Sequence, residues 1–542
     1  MIRQVLRRLA FIVQLLPGVL LWASFPPMGE VTDGLFALAY LLWIARRKTS
    51  GAAFRLWFAN GFLFWMLSLS WLPAVIDKNG PPVLVILGWI ALAAYCALYF
   101  GLFGFLAARA WAWVRGEGNL FPITEWTSYG RRLVAILLIE PLLWGGLEIG
   151  RANLFTGFAW NPIGLPLAQA GFGAPAALGG VTLLSCIVIL INGTITSIFE
   201  RMLRPKEYSL SRYLRTLETF LPVLLIFGLY SFSPKPSFTE ERPLAVGVVQ
   251  QNQPLMGNTD YKPVERLAEL TRPFTYLKPD LIILPESAFC YFGQLDGANA
   301  ERIALSVLES TGARSLLTGG ERQEAPNKLF NSAALYTAQS PTAFYDKVHL
   351  VPFGEYIPGD KLIPWLQQLA PVGSCTPGVL RTLELTREEE TIPFGVAICY
   401  EDSDASNMRR LVRQGARFIV VITNDGWFSP SIESVQHAWQ STARAIELGV
   451  PVVRSANTGI SGVIEATGEA TWLRDAEGDL LRETPGSMLG RVRLTDALRP
   501  TPYVVAGDWP ITISFLILIT VMGIIKRKHD DEKRRKLSLS LG

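Results

Sequence analysis

Residues Phe394–Asp402 read FGVAICYED. An apolar run ends in Cys399, and Tyr400, Glu401 and Asp402 follow at once. Continuously apolar, β-branched runs of this length suit strands buried on both faces. Others precede and follow it: Leu244–Gln250, Asp280–Pro285, Ser315–Gly319, Phe330–Tyr336, Ala343–Val348, Phe418–Thr423, Val450–Ser455 and Gly462–Ile464. Helical patterns lie between them, at Val264–Tyr276, Ala300–Thr311, Ser403–Gln414 and Val435–Leu448. The last ends at Gly449, a suitable C-cap. Strands alternating with helices predict a layered α/β domain. No internal repeat is visible in the sequence.

The rest of the chain is of another kind. Half of the 542 residues are hydrophobic and 18% are charged, against about 25% charged in soluble domains. The deficit falls in the first 232 residues, a succession of long apolar runs. Judged against the ~20 residues that cross a bilayer, spans are expected near 9–25, 31–45, 52–72, 82–108, 133–150, 175–199, 214–232 and 505–525. The second is short. The first has Arg3, Arg7 and Arg8 ahead of it, like a signal peptide, but further spans follow. The expected domains are therefore 1–232 with seven spans, an outer domain at 233–504, an eighth span at 505–526 and a basic tail at 527–542.

Loop charge sets the orientation. With the N-terminus inside, the inner segments carry Arg3, Arg7, Arg8, Arg46, Arg47, Lys48, Arg55, Arg109, Arg115, Arg131, Arg132, Arg201, Arg204, Lys206, Arg212 and Arg215, plus the basic tail. The short outer loops carry Lys78 and Arg151. Both termini are thus expected in the cytoplasm and residues 233–504 on the outer face. The basic tail reads as a topology anchor, not a nucleic-acid site.

Three residues end buried runs, where side chains converge on an open sheet edge: Glu286 after DLIILP, Lys347 after AFYD, and Cys399. A buried Glu or Lys is costly unless paired. The three types complement one another. A thiol needs a base and a nearby cation to become a thiolate, and attack on a carbonyl needs positive charge where the oxyanion develops. The three histidines and five cysteines have no zinc spacing, so no metal is expected. No Walker loop, dinucleotide fingerprint or G-x-S-x-G elbow is present.

The stretches LPESAF, YDKVHLVPFGEYIP, CYED, TNDGWF and RAIELGVPVVRSANTGISG resemble, in order, those of the apolipoprotein N-acyltransferases, membrane members of the carbon–nitrogen hydrolase (nitrilase) superfamily. The resemblance covers nearly the whole chain. It implies a nitrilase-like α-β-β-α sandwich inserted before the last helix of an eight-helix transmembrane bundle. It also implies an inner-membrane location with the catalytic domain periplasmic. Its triad falls on Glu286 as general base, Lys347 as thiolate and oxyanion partner, and Cys399 as nucleophile, with a backbone N–H near Tyr400 assisting. Glu355 and Glu401 are implied as supporting groups, and Trp427 and Phe428 as pocket-wall aromatics. The implied reaction moves an acyl chain from a phospholipid, typically phosphatidylethanolamine, through a cysteine thioester to the α-amine of diacylglyceryl-cysteine on an apolipoprotein. No cofactor is implied, and a monomer is expected. Phe158 and Trp160, in the outer loop Gly150–Gly173, are expected to help line an acyl entrance.

Departures and rivals accompany this reading. The family's V-Q-G-N-x-P has Gln251 in place of its glycine, and Asn258-Thr259 stand where a tryptophan is expected. His349 lies two residues after Lys347, on the same face of a strand, so a Cys-His hydrolase is a chemical rival. An outer-face amidase or nitrilase would use the same triad with water as acceptor. A transporter or sensor would need mid-membrane charges, of which Arg55 and Glu148, near span ends, are the candidates. Cys290 and Cys375 share the outer side with Cys399, where a disulfide could form.

Overall fold

A computed structural model describes residues 2–116, 125–203, 212–239, 242–255, 260–326, 328–339, 342–359, 374–496 and 499–541. Asn258 and Thr259 lie outside these. The chain divides into two compact units. One comprises residues 1–70, 87–233 and 508–542; the other comprises 71–86 and 234–507.

The first unit is helical, and helix occupies every stretch expected to span. Among the described residues four stretches are long and apolar enough to cross a membrane: Ser50–Lys78, Pro82–Val114, Tyr129–Asn153 and Ala176–Leu203. Ile12–Ala23, Val31–Ala45, Thr216–Phe232 and Trp509–Ile524 are shorter apolar helices. The short second stretch breaks at Leu38 into Val31–Ala37 and Ala39–Ala45. Small residues let helices close on one another: a Cβ on Gly104 would lie 2.4 Å from the Trp57 ring. Charges buried among the helices are paired. Arg46 grips Glu140 through two nitrogens at 3.2 and 2.9 Å, and Arg132 meets Glu200 at 2.7 Å and Glu218 at 2.6 Å.

Among its described residues the second unit holds twelve strands in two six-stranded sheets. The first sheet has the order β12-β1-β2-β3-β4-β5, with β1 Leu244–Gln250, β2 Leu281–Ile283, β3 Ser315–Ala325, β4 Lys328–Thr337, β5 Ala343–Asp346 and β12 Gly486–Val492. The second has the order β11-β10-β9-β8-β7-β6, with β6 Leu383–Arg387, β7 Glu390–Ile398, β8 Ile419–Thr423, β9 Val452–Ala456, β10 Gly462–Ile464 and β11 Ala470–Trp472. In each sheet two parallel pairings sit between antiparallel ones. They are β1/β2 and β2/β3 in the first sheet, and β7/β8 and β8/β9 in the second. The order of pairings is the same in both sheets, taken from β12 and from β6. This repeat of topology has no counterpart in the sequence.

Side-chain alternation builds the layers. Leu281 and Ile283 of β2 join Val396, Ile398, Val420 and Ile422 in one core, while Ile282 between them faces another. Ile282 packs with Leu267, Ala304 and Leu308 of helices Pro263–Thr271 and Ala298–Thr311. Helices Ala405–Arg413 and Glu433–Leu448 contribute Met408, Leu411, Ala445 and Leu448 to the first core. The α-β-β-α layering expected from the resemblance is thus present. The helix ending at Leu448 stops on Gly449 at φ 66°, as its sequence predicts.

Three strands were not legible. β12 is only partly buried and holds two glycines, β6 alternates buried and exposed residues, and β11 has three residues. None is a continuous apolar run.

Candidate active site

Two parallel strands and one antiparallel strand deliver the chemistry. Cys399 follows β7 directly and opens a 3-10 turn, Cys399–Ser403, with φ +54°. A non-glycine residue there is uncommon and held by its surroundings. Lys347 follows β5, and its backbone N–H donates to the carbonyl of Asn331 in β4 at 2.9 Å. Glu286 lies three residues beyond β2. Its backbone comes so close to β3 that a Cβ on Gly319 would stand 2.6 Å from the Glu286 Cα, so glycine is required there.

The three side chains share one electrostatic cluster. Asn331 Nδ2 donates to Glu286 Oε1 at 2.8 Å and to Glu355 Oε1 at 2.7 Å. Lys347 Nζ donates to Glu355 Oε1 at 2.9 Å, and Lys347 is wholly buried. Glu286 Oε2 accepts the backbone N–H of Asn424 at 2.8 Å. Burial pushes the Glu286 carboxyl up despite the nearby Lys347 charge. Burial works against the Lys347 ammonium, but Glu355, Cys399 and Glu286 outweigh it and hold its pKa above the ordinary lysine range. Burial raises the Cys399 thiol well above its usual range, and Glu286 raises it further. Lys347 and a hydrogen bond with Thr423 oppose that rise. The resting cysteine is therefore a thiol in the field of a buried carboxyl group, Glu286, and a buried cation, Lys347.

Glu401 fastens two of these segments together. Its Oε2 accepts Ile398 N at 2.9 Å; its Oε1 accepts Val348 N at 2.7 Å and His349 N at 3.0 Å. The Tyr345 hydroxyl donates to Oε2 at 3.1 Å. The end of β5 and the cysteine turn are thus tied to one buried carboxylate. Glu355 likewise accepts Val351 N at 2.8 Å through its second oxygen.

Behind the cysteine lies a closed ring of buried ions. His437 Nε2 is 3.0 Å from Asp402 Oδ1, and its Nδ1 is 3.0 Å from Asp425 Oδ1. Arg454 Nη1 reaches Asp402 Oδ2 at 3.3 Å and Nη2 reaches Asp425 Oδ2 at 3.0 Å. Burial and Arg454 oppose charge on His437, but Asp402 and Asp425 raise its pKa to about 10. Burial works against charge on Asp425, yet Arg454 and His437 hold its carboxyl down at about 2. Two anions alternate with two cations. Asp425, Glu433 and His437 bring possible metal-ligand atoms within 4.8 Å of one another, but His437 and Arg454 already pair with Asp425, each at 3.0 Å.

The ring residues and Asn331 carry no part in the sequence reading. Arg454 had a signal: an arginine inside the apolar run PVVRSA must be paired when that strand is buried. The other expected residues are placed as follows. Trp427 is 45% exposed, and the Phe428 ring meets Trp71 edge-on at 4.7 Å. Phe158 and Trp160 belong to the helical unit, Trp160 buried and Phe158 edge-on to Trp65 at 6.0 Å. Gln251 is buried, with both side-chain polar atoms unpartnered. Cys290 and Cys375 are free thiols. His349 Nδ1 is held by Asp404 Oδ2 at 2.9 Å, and among the described residues no hydrogen bond joins His349 to Cys399.

A Glu-Lys-Cys cluster at the strand ends of a four-layered α-β-β-α unit defines a carbon–nitrogen hydrolase domain, and the carbon-nitrogen hydrolase family model matches residues 245–485. The model of the apolipoprotein N-acyltransferase N-terminal domain matches residues 17–194. An apolipoprotein N-acyltransferase of Geobacter metallireducens is 32% identical over 481 residues, covering 84% of this chain and 85% of that one. Namesakes from Pasteurella multocida and Haemophilus influenzae are 29% and 27% identical, over 94% and 96% of this chain and the same shares of theirs. The chain belongs to the apolipoprotein N-acyltransferase family. A solved amidase of the nitrilase superfamily from Nesterenkonia aligns at TM-score 0.35 and 16% identity, over 47% of this chain and 93% of that one.

Proposed function

We propose that this chain transfers an acyl chain from a phospholipid to the N-terminal amine of diacylglyceryl-cysteine on apolipoproteins, through a thioester on Cys399. One observation carries the reading: Glu286, Lys347 and Glu355 meet through Asn331 and a 2.9 Å ion pair in a chain with four helices able to span a membrane. Glu286 takes the thiol proton as sulfur attacks the ester carbonyl. Lys347 and the backbone N–H near Tyr400 stabilise the oxyanion. Collapse breaks the C–O bond; Glu286 returns the proton to the leaving lysophospholipid oxygen. The α-amine then attacks the thioester and gives its proton to Glu286. The C–S bond breaks, and the thiol is restored.

Glu355 orders Lys347, and Glu401 fixes the cysteine turn. Trp427 and Phe428 serve the acyl pocket, and Phe158 and Trp160 the entrance. The domain boundaries stay at 1–232, 233–504, 505–526 and 527–542. Eight spans follow from the lengths of the apolar runs, and cytoplasmic termini and a periplasmic catalytic domain from loop charge. Phosphatidylethanolamine is the donor and the working unit is a monomer.

The test is thioester trapping. Wild type and Cys399→Ala are incubated with labelled phospholipid alone. A hydroxylamine-sensitive adduct on wild type only is expected, discharged by a diacylated lipopeptide. Absence of the adduct, or release of free fatty acid without lipopeptide acylation, overturns the reading in favour of nothing or of a hydrolase.

A further inference from the structure

Thr423 ends β8 wholly buried, one step past the Ile398–Ile422 pairing that sets β8 beside β7. That register brings it next to Cys399. Its backbone is fixed on both sides. Asn457 N donates to the Thr423 carbonyl at 2.9 Å, and the N–H of the following residue, Asn424, goes to Glu286 Oε2 at 2.8 Å. Its hydroxyl faces both an acid and the nucleophile. Oγ1 donates to Asp425 Oδ1 at 2.8 Å, and it shares a hydrogen bond with the Cys399 thiol.

A hydroxyl has one proton to donate and two lone pairs to accept with, and it rotates to suit its partners. It cannot donate to Asp425 and to sulfur at once, so the stronger acceptor takes the proton. Asp425 is a weak competitor for it. Asp425 Oδ1 also meets His437 Nδ1, and its Oδ2 meets Arg454 Nη2, both at 3.0 Å. Burial opposes its charge, yet Arg454 and His437 hold its carboxyl down at about 2. A carboxylate so engaged is a poor base and keeps two donors when the hydroxyl leaves. The sulfur changes in the other sense. A neutral thiol accepts weakly, whereas a thiolate forms a charge-assisted hydrogen bond. Glu286 and Asp425 face this sulfur with negative charge and Lys347 with positive charge.

We propose that Thr423 is a catalytic residue of the acyl transfer, a hydroxyl that switches from Asp425 to the sulfur of Cys399 when the thiol ionises. In the resting state its O–H points to Asp425 and its oxygen faces the S–H. As Glu286 takes the thiol proton, the hydroxyl turns about its Cβ–Oγ1 bond and donates to the thiolate. Thr423 neither gains nor loses a proton. When the C–S bond forms, the sulfur loses its charge and the hydroxyl returns to Asp425. When the α-amine expels the sulfur from the thioester, the hydroxyl turns to it again. Both half-reactions thus use the same switch. The proposal deepens the acyltransferase reading and rests on it for the acyl steps, but not for the ionisation of the thiol.

Thr423→Val keeps the shape of the side chain and removes the hydroxyl; Thr423→Ser keeps the hydroxyl. The Cys399 thiol is titrated by the pH dependence of its iodoacetamide alkylation in the full-length chain in detergent. The Cys399→Ala chain supplies the background from the other cysteines. With valine the midpoint is expected to rise by about one to two pH units, the effect of losing one hydrogen bond to a charged partner. Acyl-enzyme formation from labelled phospholipid, and its discharge by a diacylated lipopeptide, should each slow about ten- to hundredfold. Serine should bring the midpoint and both rates back towards wild type. An alkylation profile that valine leaves unchanged overturns the proposal, because the hydroxyl then serves Asp425 alone. A serine chain as impaired as the valine chain overturns it too, because the methyl group would then be what matters. If the valine chain fails to fold, Thr423→Ala, which adds no bulk, takes its place in the same comparison. A wild-type chain that forms no thioester counts against the acyltransferase reading, and the alkylation comparison alone then decides the switch.

Discussion

His437 Nε2 lies 3.3 Å from the carbonyl oxygen of Cys399. The same nitrogen meets Asp402, so a buried imidazolium holds the backbone of the nucleophile and the turn behind it together. The charge on His437 follows from its two aspartates, and its pKa of about 10 gives a signed expectation. A raised histidine pKa stabilises the fold fully below the unfolded value of about 6.5, and this contribution is lost as pH rises through about 10. His437→Gln is expected to lower the unfolding midpoint most at pH 6 and progressively less up to pH 10. Removing one partner from such a ring costs on the order of 3–5 kcal/mol. Thermal unfolding of both chains across that range checks it. A constant gap at every pH would mean that His437 is neutral in the fold.

Glu286 gives a test in which two readouts move in opposite directions. Its charge raises the Cys399 thiol, after burial the largest such influence. Glu286→Gln should therefore lower the thiol pKa and speed alkylation by iodoacetamide at pH 8. The same change removes the base and should slow acyl-enzyme formation by about 10²–10⁴-fold. If alkylation slowed together with acylation, Glu286 would be a structural prop of the cysteine turn and not its base.

How much of this was legible depends on distance along the chain. Glu286, Lys347 and Cys399 could be picked out because each ends a run of apolar residues, and such runs become buried strands wherever they fall. The partners are a different matter. Asn331 serves Glu286 and Glu355, 45 and 24 residues away, and nothing in LFNSAAL marks its asparagine. Asp402 and Arg454 are 52 residues apart. The matched order of the two sheets is also silent in sequence, because it resides in hydrogen-bond pairing and not in residue identity. Residues 71–86, which group with the strand-bearing unit, take in the end of the expected span 52–72 and the start of the expected span 82–108.

Glu401 accepts three backbone N–H groups and one hydroxyl while wholly buried. Glu401→Gln loses half of that acceptor capacity, and a new amide is left facing backbone donors. The expected cost is about 2–4 kcal/mol of stability together with loss of acylation. Glu401→Asp, one methylene shorter, keeps the charge but cannot span both strands, so it should rescue stability more than activity. Denaturation midpoints and thioester yield, measured on the two variants side by side, separate these effects.

Trp427 and Phe428 are neighbours with unlike surroundings, and they should respond differently to truncation. Trp427 is 45% exposed, so Trp427→Ala removes little packing and should leave the unfolding midpoint within about 0.5 kcal/mol of wild type. Any loss of acyl-enzyme formation from long-chain phospholipid in that variant is then loss of lipid contact, and it should be smaller for a short-chain ester. Phe428 packs edge-on against Trp71, whose indole donates to Gln436 Oε1 at 3.2 Å. Phe428→Ala gives up that ring pair, worth about 0.5–1.5 kcal/mol beyond its buried area, and frees the 71–86 segment. It should reduce stability as well as acylation. Unfolding midpoints and acylation rates with six- and sixteen-carbon donors, on the order of the shortest and the usual lipid chains, check both variants. A loss in Trp427→Ala that is the same for both donors would remove the lipid-contact role from Trp427.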